Sequence, residues 1–333
     1  MTEINAILAA LAAAPQQKAA LATLVAVEGS SYRRPGARLL VLSDGRRLGS
    51  ISGGCLEDDI VLRANKVLQD GQPVVVTYDT TDENDIVWGV GLGCQGVVRV
   101  FIESISTERP RWIPILTQNR VTRCSTALSV VHGEDFTDLR ATHLTEDLPP
   151  GMVKHAVFEE VIAPPPSLFI FGAGDDARPL VRLAKEVGWY VTVSDSRAAY
   201  ATRPRFPEAD GIIVAPAEEV NDRLALDEKS FVVLMTHRFA EDAKLLPLLL
   251  SQPLAYVGVL GPRKRTDRLL AQLSGGGFVA LPETLERLFA PVGLDLGSTT
   301  PETIALSILA ELQSGLTRRT PMHLRDRRAP IHG

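Results

Sequence analysis

The chain has 333 residues, 45% of them apolar and 23% charged, with a formal net charge of −5. That length exceeds what one core organises and predicts two domains of roughly 150 residues each, while the absence of a long biased tract excludes a largely unfolded chain. The acidic balance argues against a general nucleic-acid binder; the first residues lack the basic region of a leader, and no apolar run approaches the roughly 20 residues that span a bilayer, so a cytoplasmic protein without nucleic-acid or membrane partners is expected.

Residues 4 to 13 predict a short helix, followed by a strand over Leu21 to Val27 that ends at Glu28-Gly29-Ser30. Arg38 to Leu42 and Arg46 to Ile51 flank Ser43-Asp44-Gly45 and predict a hairpin, because Asp-Gly supplies the positive dihedral of a tight turn. A helix over Cys55 to Leu68 aligns Ile60, Val61, Ala64, Val67 and Leu68 in one stripe, with Gly71 as its stop. Val74 to Tyr78 and Val97 to Ile102 predict strands on either side of a long segment that carries Gly89, Gly91, Gly93 and Gly96; a loop of that length is often functional. Residues 104 to 163 give little periodicity beyond a strand over Cys124 to Val131, and Ala163-Pro164-Pro165-Pro166-Ser167 marks the domain boundary.

Beyond that boundary short apolar strands alternate with helices, which predicts a parallel sheet covered on both faces. The strands are Leu168 to Phe171, Tyr190 to Ser194, Ile212 to Ala215, Phe231 to Met235 and Tyr256 to Leu260, with helices near 177–187, 240–250 and 264–273. A last helix has Thr300 as its cap, Pro301 at its first position, Ile304, Ile308 and Leu312 on its apolar stripe and Gly315 as its stop. The expected fold is therefore α/β: a mixed α+β domain over residues 1–163, a Rossmann-like domain over 167–317, and a basic tail over 318–333 that reads as a solvated or partner-contacting arm.

The second domain opens with Gly172-Ala173-Gly174-Asp175-Asp176-Ala177, a GxGxxA fingerprint between a strand and a helix. Gly172 permits the turn, Gly174 admits a phosphate, and Asp195 ends the second strand where a ribose-binding carboxylate sits. Asp175 and Asp176 oppose a pyrophosphate there, so the glycines read either as a nucleotide site or as turn builders alone. Gly258 to Arg265 places Arg263, Lys264 and Arg265 at a second strand-to-helix turn, either a phosphate or pterin-phosphate site or a solvated basic turn. His237 follows the fourth strand and faces the same sheet edge, as a ligand contact or as a structural hydrogen-bonder.

In the first domain Ser52, Gly53, Gly54 and Cys55 form a strand-to-helix junction where amides and the helix dipole favour an anion or thiolate, although Glu57, Asp58 and Asp59 follow at once and oppose it. Cys55 reads as a reactive thiol or as filler. The three cysteines, Cys55, Cys94 and Cys124, are too scattered for a disulfide framework or a CxxC zinc site.

Ser50-Ile51-Ser52-Gly53-Gly54-Cys55-Leu56-Glu57, Gly91-Leu92-Gly93-Cys94-Gln95-Gly96, the Gly172 fingerprint and Gly293-Leu294-Asp295-Leu296-Gly297 occur in an order that resembles the XdhC/CoxI family, from about residue 20 to residue 315. The resemblance implies an accessory protein that binds molybdenum cofactor, protects it, supports its sulfuration by a cysteine desulfurase, and delivers it to an apo molybdenum hydroxylase of the xanthine dehydrogenase or CO dehydrogenase type. It implies a chaperone more than a turnover enzyme, and a homodimer is expected. Cys55 and Cys94 match the family's cysteine motifs and become candidate molybdenum contacts. Gln95 and Asp175-Asp176 depart from many relatives and point to a CoxI-like branch with a different client. The competing readings are an NAD(P)-dependent oxidoreductase, favoured by the Gly172 fingerprint and Asp195, and an interaction protein whose Rossmann fold is scaffold only.

Overall fold

The computed structural model describes residues 3–79, 96–151, 156–279 and 281–329. The chain divides into two compact units, Met1–Pro164 and Pro165–Gly333.

The first unit is built on an antiparallel five-stranded sheet in the order β3-β2-β1-β5-β4, formed by β1 (Ala19–Gly29), β2 (Arg38–Leu42), β3 (Arg47–Gly49), β4 (Val74–Asp79) and β5 (Gly96–Ile105). Side chains alternate faces along a strand. In β1, Ala20, Ala22 and Leu24 meet Ile60, Ala64 and Val67 of helix α2 (Glu57–Asp70), whereas Ala19 and Leu21 meet Ile7 and Leu11 of α1 (Glu3–Ala13) and Trp112 of α3 (Trp112–Val121). Both faces are covered, which is why β1 and β2 are buried almost without interruption. A register shift between Leu24 and Ala26 delivers Val25 to a separate cluster with Phe101 and Val130. Val130 belongs to a small second sheet, β7-β6-β8, made of β6 (Thr126–Val131), β7 (Thr142–Leu144) and β8 (Val157–Ile162).

The second unit is a parallel six-stranded sheet in the order β11-β10-β9-β12-β13-β14. Its strands are β9 (Ser167–Phe171), β10 (Tyr190–Asp195), β11 (Gly211–Val214), β12 (Ser230–Leu234), β13 (Tyr256–Val259) and β14 (Leu288–Phe289), the doubly wound Rossmann arrangement. Leu168 and Ile170 of β9 face α4 (Ala177–Glu186) and α9 (Pro301–Thr317). Phe169 and Phe171 face the other layer, α5 (Val220–Arg223), α6 (Phe239–Leu250) and α7 (Arg263–Gly275). The short α8 (Pro282–Leu285) precedes β14.

Two sequence expectations change. Helix α2 starts at Glu57, not Cys55, because Gly53 and Gly54 hold φ of +83° and +126° and keep the chain out of the helix until the loop closes. Helix α9 runs through Gly315 to Thr317 and ends on Arg318 at φ +54°. Gly315 is there for packing: a Cβ on it would lie 3.3 Å from the Phe231 ring.

Candidate functional site

Cys55 is exposed, in the loop between β3 and α2. The amides of this loop are not free. The Glu57 carboxylate folds back and accepts hydrogen bonds from the amides of Ile51 (3.0 Å), Ser52 (2.9 Å), Gly53 (3.2 Å), Gly54 (2.8 Å) and Leu56 (3.3 Å), and from the hydroxyls of Ser50 (2.8 Å) and Ser52. Burial works against its charge, yet the hydrogen bonds of Ser52, Ser50 and Gly54 prevail and pull its pKa down to about 2. The anion expected at this junction is thus the protein's own carboxylate. Asp58 pairs with Arg47 at 3.1 Å, and Asp59 accepts from Arg63 and the Tyr78 hydroxyl at 2.6 Å each. Tyr32, 68% exposed, lies against Gly53 so closely that a Cβ there would be 3.0 Å from the ring. Gly93 and Cys94 lie outside the described residues, and Cys124 is exposed.

In the second unit Gly172, Gly174, Asp195 and His237 meet at the carboxyl edge of the sheet. Gly172 holds φ +115°, and a Cβ on it would come 2.3 Å from the Met235 carbonyl oxygen, so the strand ends touch there. Asp195, 6% exposed, accepts from the Ala173 amide (2.8 Å) and from the Arg197 amide, Nε and Nη2 (2.9, 2.9 and 2.7 Å). Burial opposes its charge, and the Arg197 and Ala173 bonds outweigh it and hold the carboxyl below its usual range. Asp176 does not stand as a free anion: His237 Nε2 lies 2.5 Å from it, with His237 in the left-handed region at φ +57°. Asp175 pairs with Arg205 at 3.0 Å. The opposition to a phosphate expected from these two acids is therefore softened by their own partners.

The crevice between the ends of β9, β10 and β12 has a volume of about 10 Å³, with Arg238 crossing it to the Ser196 hydroxyl at 2.7 Å. Both oxygens of the Asp195 carboxylate are engaged, by the Ala173 amide and by Arg197.

Arg263, Lys264 and Arg265 divide. Arg265 turns inward to Asp242 (2.6 Å), which is 1% exposed and also accepts from Thr236, while Arg263 and Lys264 remain exposed. Sequence reasoning missed Glu57 as a loop anchor, Arg197 as the partner of Asp195 and Asp242 as the partner of Arg265. The only local signal for any of them is an acid three residues after a Gly-Gly pair. Among the described residues no group of three or more His, Cys, Asp or Glu is arranged to hold a metal, and no helix is long and apolar enough to cross a membrane.

Residues 12–79 match the XdhC and CoxI family, and residues 168–312 match the XdhC Rossmann domain. A relative from Bacillus subtilis (strain 168), described as a probable xanthine dehydrogenase subunit, is 35% identical over 320 residues, 89% of this chain and 93% of its own. The chain belongs to the XdhC and CoxI family. Another relative, described as the molybdenum cofactor insertion chaperone PaoD of Escherichia coli (strain K12), is 24% identical over 296 residues, 89% of this chain and 83% of its own. A solved structure from Bacillus halodurans, described as a xanthine dehydrogenase, superposes with a TM-score of 0.81 at 32% identity, covering 96% of this chain and 97% of that one. The XdhC/CoxI assignment thus takes in the Cys55 loop and the Rossmann unit alike.

Proposed function

We propose that this protein carries molybdenum cofactor as cargo: it holds the cofactor, supports exchange of an oxo for a sulfido ligand by a cysteine desulfurase, and passes it to an apo molybdenum hydroxylase of the xanthine dehydrogenase or CO dehydrogenase type. The observation that carries this reading is the exposed Cys55 thiol on a loop where the amides of Ile51, Ser52, Gly53, Gly54 and Leu56 all donate to Glu57. A loop fixed from within presents its thiol in one place, and a soft sulfur ligand suits molybdenum or the cofactor's dithiolene. The Escherichia coli and Bacillus subtilis relatives support the same class of role. Cys94 is the second proposed contact; Ser52, Gly53, Gly54 and Gly93 form the surrounding loops. An NAD(P)-dependent oxidoreductase has less support, because Asp195 is spent on Arg197 and the crevice is closed.

The test is cofactor retention after purification from a host that makes it. Cys55→Ser and Cys94→Ser are each expected to lower the cofactor retained, with the Cys55 variant keeping its melting temperature because that side chain is exposed. Unchanged retention in both variants would overturn the assignment.

A further inference from the structure

The small sheet β7-β6-β8 presents two faces, because side chains alternate along each strand. Leu128 and Val130 of β6 and Phe158 of β8 point to the main sheet and pack into its clusters. Glu160, on the same face, pairs with the buried Arg38. The register places Ser129 directly opposite Glu159, and Val131 opposite Val157, on the other face. Residues from Thr145 to Gly151 lie over that face, tied to it by a hydrogen bond of 2.9 Å between the Ser129 and Thr145 hydroxyls. Between them is a cavity of about 550 Å³, within the range of small-molecule sites, about 300–1,000 Å³.

The lining is of two kinds. Leu148, Pro149, Pro150 and Val157 are apolar, Thr145, Glu146 and Glu159 are polar, and among the described lining residues none is basic. Glu159 is exposed and makes no hydrogen bond or ion pair to a described residue, in contrast to Glu160 beside it. Glu146 is 72% exposed, and Arg111, which approaches it to 3.6 Å, is bonded more closely to Asp147. Ser129 is fully buried and holds the half-buried Thr145 hydroxyl, which keeps lone pairs free to accept. Two carboxylates with no cation between them repel an anion. A neutral apolar occupant would strip water from Glu159 and return no hydrogen bond. A cation with several N–H donors on an aliphatic stem satisfies both halves of the lining.

We propose that this cavity binds a primary ammonium group on an aliphatic stem, that of a free linear amine or diamine or of a lysine side chain. The ammonium donates to the Glu159 carboxylate and to the Thr145 hydroxyl oxygen, and Glu146 adds to the attraction. The stem lies along Leu148, Pro149, Pro150 and Val157. Ser129 is a positioning residue, which acts on the ligand through Thr145. None of these residues belongs to the Cys55 loop.

The test is calorimetric titration of the full chain with n-butylamine, cadaverine, N-acetyl-lysine methylamide and, as the uncharged control, n-butanol. The amines are expected to bind at least about tenfold more tightly than butanol, the margin of hydrogen bonds to a charged group. Glu159→Gln should erase that margin with the melting temperature unchanged, since the side chain is exposed. Thr145→Val should lower amine affinity and leave that of butanol as it was. Added salt should weaken the amines alone. Cadaverine bound more tightly than the lysine derivative identifies a free amine as the source, and the reverse order identifies a lysine of a partner protein. Butanol bound as tightly as butylamine, amine affinity unchanged in Glu159→Gln, or magnesium or calcium ions bound through Glu159 with no binding of amines would each overturn the proposal.

Discussion

Glu57 decides the character of the Cys55 loop, because several backbone donors converge on one carboxylate. Glu57→Gln replaces one acceptor oxygen by a donor facing other donors, and leaving such groups unpaired costs on the order of 1–3 kcal/mol. The folded pKa lies near 2 against an ordinary 4.5, so the charged form stabilises the protein fully above about pH 4.5 and that contribution is lost as pH falls toward 2. Denaturation of wild type and Glu57→Gln across this window should show a gap that is widest at neutral pH and closes with acid; a gap independent of pH would mean the carboxylate charge is not what holds the loop. At the other sheet edge, Arg197→Ala strands the buried Asp195 and is expected to cost about 1.5–3 kcal/mol, the scale of hydrogen bonds to a charged group. Chemical denaturation measures it, and a change below a few tenths would show that water replaces Arg197 freely. None of these pairings was legible in the sequence. Asp195 was visible as a carboxylate after a strand, but its partner two residues on is fixed by how the chain turns after β10, and no periodicity encodes that.

Gly315 shows two effects in competition at the scale of a helix. Alanine there gains roughly 1 kcal/mol of helix propensity over glycine, while its Cβ would press on the Phe231 ring at 3.3 Å. Gly315→Ala should therefore be near neutral in melting temperature, and Gly315→Val clearly destabilising, since the added methyls meet Phe231 and Tyr256. A stabilised valine variant would show that the helix end floats on the sheet. Read from sequence, this glycine looked like a stop, because local propensity carries no record of the aromatic stack of Phe231, Tyr256 and Phe289 beside it. Strands β9, β12 and β13 were legible for the opposite reason: each is a short apolar run buried on both faces. Helix α3 was not, since Pro114 falls in its first turn and only Trp112, Ile113 and Leu116 point inward. Strands β7 and β14, of three and two residues, are too short for any alternation to show.

For the whole chain, the Pro-rich segment at residues 163–167 coincides with the point where the two compact units part. Limited proteolysis is expected to cut first there or in the tail after Arg318, where the chain leaves α9 and stays exposed. Early cuts within residues 168–300, identified by mass spectrometry of the fragments, would place the boundary elsewhere. The Glu57 anchor bears on how the full chain behaves in different media. An anion cradle filled by a mobile ion empties on dilution and exchanges with whatever salt is present. Here the occupant is tethered to the same backbone and held by several amides and two hydroxyls at once, so it does not leave on dilution. Phosphate and sulfate should accordingly be poor competitors at the Cys55 loop, so its thiol would stay presented in the same way across buffers in which a phosphate-binding loop would change its occupant.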